Sequence, residues 1–140
     1  MRRALLAGVV ILLASFGPTR GDDPPDSSPL GRKLARIQKQ FDADYADLKK
    51  KLADAKDAEE TKRLNFQIKE LHAITASDAV DLADEGKKDD AGLDAAVYAL
   101  KLLGKLQITG PDMDKACDIV LKYHADNPKV APALEYMVEC

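Results

Sequence analysis

Between residues 30 and 55 an apolar residue returns at every third or fourth position: Leu30, Leu34, Ile37, Phe41, Tyr45, Leu48, Leu52 and Ala55. This is the 3.6-residue period of a helix, and it draws one stripe down about seven turns. Arg32, Lys33, Arg36, Lys39, Asp42, Asp44, Asp47, Lys49 and Lys50 fill the intervening, solvated positions. Asp47 and Lys51 stand four apart with the acid nearer the N-terminus, an order that contributes a few tenths of a kcal/mol. Ser28 can cap this helix, with Pro29 at the first position, where a missing N–H is harmless.

A second stripe follows at Leu64, Ile68, Leu71, Thr75, Ala79 and Leu82. The pattern falters over 56–60, where Asp57 or the Glu59-Glu60 pair can open a new helix. Two arrangements are open: a hairpin that buries both stripes against each other, or one long helix that pairs with another chain. The break holds neither Gly nor Pro, and the hairpin is preferred. Phe41, Tyr45, Leu48, Ile68 and Leu71 are the candidate interaction stripe, for a protein partner or for self-association.

Residues 86–92 are charged, carry two glycines and read as a loop. The next helix shows Leu93, Val97, Leu100, Leu103 and Leu106, with Ala95, Ala96 and Ala99 allowing close approach. Thr109-Gly110-Pro111 closes it and opens another, whose positive N-terminus Asp112 and Asp114 complement. Met113, Ala116, Cys117, Val120, Leu121 and His124 continue at helical spacing. Asn127-Pro128 turns the chain into a last short helix with Val130, Leu134, Met137 and Val138, in which Pro132 is tolerable only within the first turn. Leu93, Ala96, Val97 and Leu100 match Val130, Ala133, Leu134 and Met137 at a constant offset, as in helical-pair repeats. Ala and Leu dominate the 46% of hydrophobic residues, while aromatics are 5%. The expected fold is therefore all-α: a long amphipathic hairpin over 30–85, then short repeat-like helix pairs over 91–140.

The chain begins Met1-Arg2-Arg3, and residues 4–16 form an apolar run. Pro18 then interrupts, and Thr19 and Gly21 place small residues at −3 and −1 of a cut before Asp22. This is the order of a secretory signal peptide over 1–21, with an apolar core shorter than a membrane span. The mature chain is expected outside the cytoplasm, periplasmic or extracellular, and away from the membrane once the signal is removed. Residues 22–29, acidic and rich in Pro and Ser, read as a flexible linker before a helical domain over 30–140. Removing the signal, with its three arginines and no acid, takes the net charge from −3 to −6. An acidic chain without a basic stripe is unsuited to a phosphate backbone, so nucleic acid is not an expected partner.

Little in the sequence carries chemistry. Cys117 and Cys140 form no Cys-x-x-Cys pair; in an exported protein they can join as a disulfide, or Cys117 can be a small buried hydrophobe on its helix stripe. His72 and His124 lack ligand spacing and read as packed or surface residues. No phosphate-binding glycine loop, zinc motif or nucleophile elbow occurs. The acidic stretches lack the Gly and closing Glu of a calcium loop. No catalytic, cofactor-binding or metal residue is assigned, and no cofactor is expected.

Three stretches carry a likeness: Asp94-Ala95-Ala96-Val97-Tyr98-Ala99-Leu100, Asp114-Lys115-Ala116, and His124-Ala125-Asp126-Asn127-Pro128-Lys129-Val130-Ala131-Pro132. Together they resemble the helical region that precedes the redoxin domain in exported thioredoxin-like proteins of planctomycete bacteria. The likeness spans most of 30–140 and is best over 78–138. It implies an accessory helical module beside a thiol-disulfide domain. The sequence holds neither that domain nor its paired cysteines, so no catalytic residue carries over. The leading expectation is an exported, non-enzymatic interaction or scaffold module. The alternatives are the accessory module of a thioredoxin-like oxidoreductase and a holdase that grips clients with its hairpin.

Overall fold

The computed structural model describes residues 28–137, and these are all-α. The elements are α1 (Pro29–Asp54), α2 (Ala58–Glu85), α3 (Asp90–Lys105), α4 (Pro111–Tyr123) and a 3-10 helix (Pro128–Tyr136). The expected signal peptide, most of the linker and Cys140 lie outside the described residues.

The two stripes form a hairpin. Ser28 Oγ accepts from Gly31 N–H at 2.9 Å and starts α1 with Pro29 at its first position. Asp57 caps α2, its carboxylate accepting from Glu60 N–H at 2.7 Å, while Glu60 reaches back to the Lys56 N–H at 3.4 Å. These reciprocal bonds satisfy donors that a new helix leaves bare, so the chain turns without Gly or Pro. Burial is uneven along the hairpin. In α1 only Leu34 and Phe41 are buried, and in α2 burial begins at Leu64 and becomes dense from His72 onward. The hairpin tip is thus a two-helix arm, and its base is packed into the body.

Helix α3 is the hub, touching all four other helical elements. Leu93, Ala95, Ala96, Ala99 and Leu100 are fully buried, and the small side chains let α2 lie close. The loop before α3 is shorter than 86–92, because Asp90 to Gly92 already belong to the helix. A Cβ on Gly92 would overlap the Gly86 carbonyl oxygen, so the backbones of the loop and the first turn of α3 are in contact. His124, buried at the end of α4, donates from Nε2 to Lys87 O at 2.9 Å and ties α4 to the same loop.

After α4 the repeat-like pattern holds only loosely. Residues 128–136 wind as a 3-10 helix with Pro132 inside it. In an α-helix the Pro132 ring would meet the Pro128 carbonyl, and the i→i+3 winding avoids that collision. The change of pitch breaks the correspondence with α3: Leu134 is 55% exposed where its counterpart Val97 is 9% exposed. Val130 and Ala133 still bury, and the Tyr136 ring lies over Gly104 so closely that a Cβ there would sit 2.6 Å from Tyr136 Cδ1.

Candidate functional site

The stripe expected from sequence as a contact surface is partly taken up by the fold. Phe41 and Ile68 are buried, and Tyr45, Leu48 and Leu71 are partly covered. Phe41 stacks on Tyr45 at 5.5 Å between centroids, and both rings meet the edge of His72. His72 Nδ1 donates to Ile68 O at 2.9 Å, which fixes the ring within its own helix. Packing within the chain covers Phe41 and Ile68 and leaves part of Tyr45, Leu48 and Leu71 in solvent. Cys117 is 2% exposed and carries no free thiol, while Cys140 lies outside the described residues.

Concavity lies elsewhere, at the base of the hairpin. A cleft of about 960 Å³ opens between the start of α1, the end of α2, α3 from Asp90 to Lys101 and the 3-10 helix. Pro29, Leu30, Ala91, Val97 and Pro132 give it an apolar floor. Glu85, Asp89, Asp90, Asp94, Lys101 and Lys129 make its charged rim. Lys33 reaches both carboxylate oxygens of Glu85 at 2.9 Å and pins α1 to α2 beside the cleft. Lys129 Nζ lies 3.2 Å from Asp94 and 3.4 Å from Asp90, and so fastens the 3-10 helix to α3. Burial alone would lower the Lys129 pKa, but the hydrogen bonds and charges of Asp94 and Asp90 outweigh it and raise the value. The ammonium therefore stays charged and bridging. Such exposed pairs contribute little stability, about 0–1 kcal/mol each, so their effect is on the shape and sign of the rim.

The chain matches no family model, no curated protein and no solved structure. The likeness to redoxin-associated helices therefore stands on the residues quoted for it. Among the described residues no three His, Cys, Asp or Glu side chains converge as metal ligands. None of the described helices is long and apolar enough to cross a membrane.

Sequence reasoning did not single out the cleft residues as a site. They come from four separate segments, none of which forms a motif by itself. In the sequence Asp89 and Asp90 read as loop residues, and Lys129 as one residue of a wider likeness. Two apolar side chains also escaped the stripe pattern: Phe66 and Ile74 point outward from α2 at 61% and 62% exposure.

Proposed function

We propose that this chain is a non-enzymatic helical interaction module that works outside the cytoplasm and meets a protein partner at the cleft. The observation that carries this reading is the apolar floor at the base of the hairpin, enclosed by a charged rim. Concave, partly apolar surfaces fixed by rigid elements are where small numbers of contacts give affinity and orientation. The floor is held by α1, α3 and the 3-10 helix rather than by a long loop, so binding requires little ordering of the module itself. The signal-like first 21 residues support placement outside the cytoplasm.

Site-specific photo-crosslinking in the native cell tests this. A photoreactive amino acid in place of Pro132, at the lip of the cleft, is expected to yield a discrete adduct in the exported fraction. The same group in place of Lys50, on the hairpin arm, is expected to yield none. Adducts from position 50 with none from 132, or retention of the protein in the cytoplasm, would remove the proposal.

A further inference from the structure

The rim of the cleft is not uniformly charged, and its charges are not equally occupied. Of the six ionised side chains that line it, Glu85 is paired with Lys33, and Asp90 and Asp94 are paired with Lys129. Asp89 and Lys101 remain. Neither has an ion pair or a side-chain hydrogen bond among the described residues, and Asp89 stands at the N-cap of α3 without capping it. Their positions on α3 differ by twelve residues, which at 1.5 Å per residue separates them by about 18 Å. Between them run Ala91 and Val97 of α3, with the Lys129-paired Asp90 and Asp94 beside them and Leu30 and Pro132 completing the lining. The lining acids Glu85, Asp89, Asp90 and Asp94 gather toward the Asp89 end, where Lys33 and Lys129 pair with all but Asp89. The Lys101 end presents a lone positive charge.

A groove with an acid at one end, a base at the other and an apolar floor between is complementary to a chain of the opposite polarity. An extended backbone covers about 18 Å in five or six residues. We propose that the cleft takes an extended segment of another polypeptide, with apolar side chains between a basic residue that meets Asp89 and an acidic residue that meets Lys101, about five positions apart. Charge pairing at the two ends then sets the direction in which the segment lies, while the floor supplies the contact area. This rests on the docking role proposed above and adds the chemistry of the partner.

Two blocked hexapeptides test it, Lys-Val-Ala-Leu-Ala-Glu with opposite charges at its ends and Lys-Val-Ala-Leu-Ala-Lys with like ones, titrated into the isotopically labelled chain and followed by NMR. The first is expected to bind about tenfold tighter, with shifts at Leu30, Val97 and Pro132 neighbours. The preference is expected to reverse in the Lys101→Glu variant, whose cleft is acidic at both ends. Should that variant fold poorly, Lys101→Gln is expected to weaken the first peptide by about fivefold. Equal affinities, a preference that survives the Lys101→Glu exchange, or no binding of either peptide would overturn the proposal. A control hexapeptide with Gln at both ends separates the two ideas: if it binds the cleft as well as the first peptide does, docking stands and the bipolar recognition falls. Shifts at the cleft that depend on protein concentration without peptide would assign it to a second copy, which also overturns the inference.

Discussion

Tyr98 shows how one side chain can be placed by its ring and left incomplete at its tip. The ring meets Phe41 at right angles with centroids 6.5 Å apart, and the buried hydroxyl has no hydrogen-bond partner among the described residues. Burial, and then the charge of Asp42, push its pKa up to about 12. In the unfolded chain the phenol ionises near its ordinary value of 10.0, below the folded value. Between those two pH values the unfolded state therefore binds fewer protons, and stability falls as pH rises. Tyr98→Phe removes both the orphan hydroxyl and this titration. Its stability in urea at neutral pH is expected to lie within about 1 kcal/mol of the native chain or above it. Its loss of stability on moving to about pH 11 is expected to be smaller than that of the native chain. A neutral-pH loss of several kcal/mol would mean that the hydroxyl is satisfied after all. None of this was legible in the sequence, where Tyr98 is one more residue in an apolar helix and Asp42 a solvated acid 56 positions earlier.

Helix beginnings were legible and one helix end was not. Ser28 and Asp57 announce α1 and α2 because an N-cap acts through a side chain that the sequence displays. The end of α3 was read at Thr109-Gly110-Pro111, but the helix stops at Lys105. Gln107 takes φ 52°, with its N–H donating to Gly104 O at 3.2 Å and that of Ile108 to Leu103 O at 3.0 Å. This is the two-bond closure that usually has glycine in the left-handed position. A glutamine there gives no sequence signal. Gln107→Gly is expected to stabilise the chain by about 0.5–1 kcal/mol in chemical denaturation, because the left-handed backbone is easier without a Cβ. The opposite sign would show that the Gln107 side chain contributes contacts larger than the backbone strain. The last short helix is legible but its pitch is not, for a related reason: hydrophobic spacing alone does not distinguish a pitch of 3.6 from one of 3.0 over nine residues, and Pro132 decides it.

For the whole molecule, the all-α class and the hairpin followed from periodicity, since stripes of this length have few other ways to bury themselves. The cleft did not follow, because it is a product of tertiary placement: residues 28–30, 85, 89–101 and 129–132 meet only after α3 has become the hub. The same hub bears on the cysteines. Cys117 is buried on α4 against that core and carries no free thiol. Pairing with Cys140, the other cysteine of the sequence, is expected to appear as a gain of about 2 Da in intact mass on reduction. An unchanged mass on reduction would leave Cys117 needing another partner.

The arm of the hairpin ends at 55–57, and the cleft lies at the opposite end of α1, about 37 Å away along the helix axis. Lys56 and Asp57 are exposed and Ala55 is half-buried at this turn, so the chain passes through solvent between the two helices. That turn is consequently a natural port for engineering. A fluorophore, an affinity tag or a whole inserted domain can be grafted there without entering the core or shading the cleft, making the chain its own rigid handle for presenting the cleft to whatever it meets.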